Sequence, residues 1–254
     1  GGAGIDQLNG GLGDDTYFVD HINDRVIEAA NQGVDAISTQ VDYSLVNAPQ
    51  VENLLLEGIA LSGTGNALNN VIGGNSLDNT ISGGDGDDGL VGDNGADTLL
   101  GEAGSDVLAG QGGNDTLVGG TGDDGLVGGI GTDTLTGGLG ADVFFFDLGT
   151  AFTTTEIAGN DVISDFEINV DAIVLDKDTF TALTSSVGRG FNISSEFSVV
   201  ANDLFVPTSN ARIIYSQGSG RLFYKTGVFG ETAQLFATLS TKPTLVAANF
   251  AILD

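Results

Sequence analysis

The chain has 254 residues, and 7 Lys and Arg against 35 Asp and Glu leave a formal net charge of −28, an excess that repels phosphate backbones and anionic lipid and excludes nucleic-acid binding. It has no cysteine, which removes disulfides, thiol catalysis and thiolate metal sites, and no apolar run long enough to span a membrane. Its 41 glycines are roughly twice the usual share and too many for an ordinary core of helices and sheets.

The chain opens on two nine-residue blocks, G1-G2-A3-G4-I5-D6-Q7-L8-N9 and G10-G11-L12-G13-D14-D15-T16-Y17-F18. Because it begins inside a repeat rather than at a Met, it reads as a piece of a longer protein. R25-V26-I27-E28, A36-I37-S38-T39, V41-D42-Y43-S44-L45 and E52-N53-L54-L55-L56 read as short strands forming irregular turns of one solenoid. Next come G65-N66-A67-L68-N69-N70-V71-I72-G73 and G74-N75-S76-L77-D78-N79-T80-I81-S82, in which Asn70 and Asn79 stand where the first blocks have Asp. These two are expected to continue the coil on stacked amides, with weak or no metal.

From Gly83 the period becomes strict. Asp88, Asp97, Asp106, Asp115, Asp124, Asp133 and Asp142 are nine residues apart, each preceded by glycine at −5 and −2 and followed at +2 by a large apolar residue, from Leu90 to Phe144. From Val26 to Asp176 there is no Lys or Arg, and 13 of the 14 Phe lie at or after Phe144, so a conventional core begins there. The expected divisions are 1–64 (early repeats and irregular solenoid), 65–145 (repeat array) and 146–254 (a β-rich cap and tail).

A nine-residue unit is too short for a useful helix but holds a six-residue turn and a three-residue strand x-U-x whose central residue points inward. Consecutive blocks then fall on opposite sides of a flattened coil, and the neighbour above any turn lies 18 residues onward. Asp88 stacks with Asp106, Asp97 with Asp115, Asp106 with Asp124, Asp115 with Asp133, and Asp124 with Asp142. Carboxylates about 4.8 Å apart would repel along the whole array, and 12 acidic residues with no basic one lie between Gly83 and Asp142. A cation with several oxygen ligands and tolerance for irregular coordination resolves this, which selects calcium over magnesium. About five or more ions are expected, with the array disordered without them.

These blocks resemble the RTX family of bacterial proteins exported by type I secretion. The resemblance implies an all-β fold, a parallel β-roll (β-solenoid) with a C-terminal capping and secretion region, that folds when it meets calcium outside the cell or at its surface. It implies the seven array aspartates as ligands, with Asp6 and Asp15 added from the first blocks. It also implies the backbone carbonyls of Gly83, Asp85, Gly92, Asn94, Gly101, Ala103, Gly110, Gly112, Gly119, Thr121, Glu102, Gly104, Gln111, Gly113, Gly120, Gly122, Gly129, Gly131, Gly138 and Gly140. Asp93, Glu102 and Gln111 depart from the pattern, standing where it has a second glycine. A141-D142-V143-F144-F145-F146, N160-D161-V162-I163-S164-D165-F166 and D171-A172-I173-V174-L175 resemble the segment that closes such rolls, with Asp161, Asp165 and Asp171 read as cap or turn residues. The tail, from A211-R212-I213-I214-Y215 through G220-R221-L222-F223-Y224 to N249-F250-A251-I252-L253-D254, resembles the region read by type I secretion machinery; Lys225 and Thr226 follow the Tyr where relatives often place acids, so no metal is assigned there.

No catalytic constellation is present. G84-D85-G86-D87-D88-G89 fits the dinucleotide fingerprint in letters alone, since it opens no helix and its aspartates would repel a pyrophosphate. The lone His21 reads as a surface residue. Thr98, Thr116 and Thr134 recur every 18 residues on one outer face with Leu100 and Val118, while Val91, Ala109 and Val127 share the other, which suits packing against neighbouring copies or an adjoining domain. The reading is a calcium-folded structural module, with two alternatives: the trailing module of a secreted protease, lipase or polysaccharide epimerase whose active site lies upstream, and a surface-layer, fibre or adhesin component.

Overall fold

The computed structural model describes residues 1–147, 159–191, 195–226 and 233–253. Successive strands alternate between two sheets, so each pairs with the strand two blocks onward: Gly89–Asn94 with Val107–Gly112, and Thr98–Ala103 with Thr116–Thr121. Pairing is parallel at an 18-residue offset, with Leu90 opposite Leu108 and Leu99 opposite Leu117. Two 11-stranded sheets result, and the fold is the expected β-solenoid. Among the described residues the helical segments are three short 3-10 turns, Leu45–Asn47, Asp203–Thr208 and Ala247–Asn249.

The large apolar residue of each block builds the core. Leu90, Leu99, Leu108, Leu117, Leu126 and Leu135 are all 0% exposed, in two facing columns extended by Ile72 and Phe144 on one sheet and by Ile81 and Ile163 on the other. Burying each such side chain is worth about 1.5–3 kcal/mol relative to leaving it in water.

The strands are six residues long, not three. Thr98–Ala103 takes the last three residues of one block and the first three of the next, and the ladder resumes past Gly101 with Glu102 opposite Gly120 and Ala103 opposite Thr121. Only positions four to six form the compact corner. The chain bends at the buried first glycine, and position two takes a left-handed backbone: Asp93, Glu102 and Gln111 have φ of 75°, 76° and 71°. The three departures from the glycine pattern therefore keep a glycine's backbone shape at the strain an L-residue pays there.

Both sheets run without a break through residues 64–65 and 145–146. Thr16–Val19, Ala36–Thr39, Asn53–Leu56 and Val71–Gly73 are consecutive parallel rungs below Gly89–Asn94. The irregular spacing is absorbed in the connections, since Thr16 pairs with Ala36 (36 − 16 = 20) and Ala36 with Asn53 (53 − 36 = 17).

At the far end Val143–Phe146 pairs with Ala172–Asp176 and that strand with Phe250–Leu253, while Thr134–Leu139 is followed by Asp161–Ile163 and Gln234–Leu239. The second sheet then turns antiparallel through Arg221–Tyr224 and Ile213–Ser216, and Gly188–Arg189 runs antiparallel along the edge of the first. This covers edges that an open solenoid would present for pairing. Aromatic rings fill the widened core: Phe236 lies edge-on to both Phe146 and Phe180, with centroids 5.2 Å apart in each case, and Phe180 lies edge-on to Tyr224 at 5.0 Å. Lys225 is buried here, its Nζ donating to the carbonyls of Pro207 and Ser209.

Candidate metal centre

The corners stack carboxylate on carboxylate. The Asp88 N–H donates to Asp106 Oδ1 at 2.7 Å, and the same bond joins Asp97 to Asp115, Asp106 to Asp124 and Asp115 to Asp133 at 2.8 Å, and Asp124 to Asp142 at 3.0 Å. All five pairs expected at an 18-residue spacing are in contact, and all seven aspartates are buried. The second oxygen is different: Oδ2 of Asp88, Asp97, Asp106, Asp115, Asp124 and Asp133 is buried with no hydrogen-bond partner. One such orphan costs about 1–3 kcal/mol even when neutral, and more when charged. A row of six calls for a ligand.

The carbonyls supply the rest. Those at positions one and three point back along the coil: a Cβ on Gly101 would collide with Gly119 O as well as Asp106 Oδ2, and Ala103 O and Thr121 O accept from Gly86 N–H and Gly104 N–H at 2.8 and 2.9 Å. Those at positions two and four point forward, since a Cβ on Gly120 would strike Glu102 O and one on Gly122 would strike Gly104 O. The gap between turns 101–106 and 119–124 is thus lined by Glu102 O and Gly104 O from one wall and by Gly119 O from the other, beside Asp106 Oδ2. By the same alternation Gly110 and Gly112 face the corner of Asp97, Gln111 and Gly113 face that of Asp133, and Gly120 with Gly122 face that of Asp142. Gly83 O faces back to Gly65 in the turn of Asn70, Gly92 O to Gly74 in that of Asn79, and Gly131 O faces Gly159 in the cap. Carboxylate and carbonyl oxygens line these gaps, and a hard divalent cation fits them.

Burial pushes the carboxyls upward, opposed by the amide on Oδ1 and reinforced by neighbouring carboxylates. Asp88, Asp115 and Asp124 rise to about 6, and Asp97, Asp106, Asp133 and Asp142 rise as well. The corners resist ionisation unless a positive charge enters them.

The model of the RTX calcium-binding nonapeptide repeat matches residues 1–20, 64–99, 91–126 and 119–150, in four copies. The array is made of RTX calcium-binding repeats. Over 65 residues, 26% of this chain, it is 42% identical to endo-1,3-1,4-beta-glycanase ExsH and 40% identical to endo-1,3-1,4-beta-glycanase EglC, both of Rhizobium meliloti (strain 1021). The match spans 14% of either glycanase. A solved structural neighbour is the AlgE6R3 subunit from the Azotobacter vinelandii mannuronan C5-epimerase, 24% identical, with 72% of this chain and 78% of that one covered at a TM-score of 0.27.

The RTX corners at the chain's start find partners the repeat frame does not supply. The Asp6 N–H donates to Asp24 Oδ1 at 2.8 Å and the Asp15 N–H to Asp35 Oδ1 at 2.9 Å. Asp15, Glu28 and Asp35 bring carboxylate oxygens within 4.8 Å of one another, and Tyr17 donates to Glu28 Oε1. Asn70 and Asn79 do not form an amide ladder. Asn70 Oδ1 accepts from Asn66 N–H at 2.7 Å, its Nδ2 donates to Glu52 O at 3.0 Å, and Asn79 repeats this with Asn75 and Ala60. Each amide satisfies backbone groups of its own and the preceding turn.

Asp161 and Asp171, read from sequence as cap or turn residues, continue the ladder: Asp133 N–H donates to Asp161 Oδ1 and Asp142 N–H to Asp171 Oδ1. Asp165 accepts the Gly137 and Gly138 amides across the sheet end. The signal that marks Asp161 is a half-repeat, G159-N160-D161-V162-I163, mirrored by G33-V34-D35-A36-I37. His21 Nδ1 accepts from Asn23 N–H, and its own backbone N–H donates to Oδ2 of Asp24, the partner of Asp6, at 3.3 Å; Thr98, Thr116 and Thr134 are aligned rung on rung.

Proposed function

We propose that this chain is a calcium-assembled structural module of a larger secreted or cell-surface protein, folding where calcium is plentiful. The observation that carries this is the row of buried, unpartnered Oδ2 atoms facing inward-turned carbonyls. Bound calcium would supply the positive charge that these oxygens lack. The ligands would be the seven array aspartates and the carbonyls of the corner positions. Extracellular modules bind calcium at roughly 10⁻⁴ to 10⁻³ M, so the array would stay unfolded in a calcium-poor cytosol. A circular-dichroism titration from chelator into millimolar calcium tests this: a coil-to-strand transition, weak response to magnesium and reversal on chelation are expected, and an unchanged spectrum overturns it.

Residues 146–254 are proposed to carry the region read by type I secretion machinery. Gln234–Leu239 and Phe250–Leu253 are rungs of the two sheets, so removing the tail would disturb folding together with any signal. Grafting 146–254 onto an unrelated passenger separates export from folding, and a passenger that stays inside rejects the assignment.

The glycanase matches favour a second reading, in which the module trails a secreted polysaccharide-acting enzyme and itself performs no catalysis. The residues preceding Gly1 in the full gene product decide it.

A further inference from the structure

We infer that the cation ladder crosses the end of the regular array, with Asp133 and Asp161 forming a further calcium site that ties the repeats to the cap; this rests on the calcium reading of the array. Asp133 N–H donates to Asp161 Oδ1 at 3.0 Å, the bond that links every array pair, although 28 residues rather than 18 separate the two. Asp133 is 0% exposed and its Oδ2 has no hydrogen-bond partner. As in the other corners, that oxygen lies against the position-one glycine, here Gly128.

The walls of the gap also continue. Gly131 O points forward at Gly159, where a Cβ would overlap it, as Gly113 O points at Gly131. Beyond the corner the strands stay in parallel register, Thr134 opposite Val162 and Leu135 opposite Ile163. Two buried carboxylates and a carbonyl therefore converge on one gap, the donor set of a hard divalent cation. The other sheet ends differently. Asp171 accepts Asp142 N–H on Oδ1 at 3.1 Å and Glu167 N–H on Oδ2 at 2.7 Å, so amides take both of its oxygens and the ladder goes no further than Asp171 on that sheet.

The test counts calcium on the full chain by native mass spectrometry and locates it by anomalous scattering from crystals grown in calcium. Asp161→Asn keeps an acceptor for Asp133 N–H and is expected to hold one ion fewer than the parent, with Asp171→Asn as the control for losing a carboxylate at a cap rung. The parent crystal, which decides the matter should Asp161→Asn fail to fold, is expected to show a peak between Asp133 and Asp161. A parent that binds calcium with that gap empty, or an Asp161→Asn chain holding the parent's full complement, overturns the inference and leaves the array reading standing. A parent that binds no calcium removes the array reading and this site together.

Discussion

The Asp106 N–H donates to Asp124 Oδ1 across 2.8 Å, while Asp106 Oδ2 is left buried and unpartnered between Gly101 and Gly119 O. Each array aspartate thus reaches two gaps, one through each carboxylate oxygen. Asp106→Asn is expected to weaken both. Since a site held at a hundred times its dissociation constant stabilises by about 2.7 kcal/mol, the loss is expected at roughly 3–5 kcal/mol, seen as a lower Tm in calcium and a higher calcium midpoint. The exposed Asp178→Asn should change neither.

Acid acts in two opposed ways. The folded-state pKa of Asp88, Asp115 and Asp124 is raised to about 6, chiefly by burial, above the unfolded value near 3.9. A raised carboxyl favours the metal-free coil fully below the unfolded value, and that contribution is lost as pH rises through about 6. Calcium needs the ionised form, and the metal-free chain is unfolded with carboxyls near 3.9, so calcium affinity should fall as pH approaches that value. Proton release on calcium binding, measured calorimetrically in two buffers of different ionisation enthalpy, is expected at about pH 4 and should vanish by about pH 7. The metal-free chain is expected to be more compact at pH 4 than at pH 7.5 by small-angle scattering.

Backbone strain makes a signed pair of predictions. Gly104 has φ of 139° and its Cβ direction is filled by Gly86 O, so Gly104→Ala should destabilise severely. Gln111, at φ of 71°, is strained by about 1–2 kcal/mol, part of which glycine returns through its freer unfolded chain. Gln111→Gly should therefore stabilise by roughly 0.5–1 kcal/mol in calcium denaturation curves.

Phe236 links the cap to the roll by its edge-on contacts with Phe146 and Phe180. Phe236→Ala is expected to cost about 3–5 kcal/mol. Hydrogen exchange should show protection lost first at Asp161–Ile163 and Gln234–Leu239, with Thr98–Thr121 retained.

The solenoid and its five aspartate pairs were legible because one nine-letter word repeats without interruption from Gly83. What escaped were ladder members in words with only their second half: Asp35 and Asp161 keep glycine two before and a large apolar residue two after, but the connections leading to them are longer by 20 − 18 = 2 and 28 − 18 = 10 residues. A search tied to a fixed period passes over them, although stacking constrains only the corner and the inward residue and leaves the connection free. The six-residue strands were missed for a related reason. The glycines that open each block read as turn, yet two of the three opening positions keep their ladder bonds because position two bends to a left-handed angle.

Forward-facing carbonyls on one turn and backward-facing ones on the next mean that no corner is complete by itself. A lone repeat can offer half a cage at best, so ordering has to spread from a neighbour that is already in place. The aromatic end coheres without this reciprocity, and it can serve as a seed from which growth proceeds into the array.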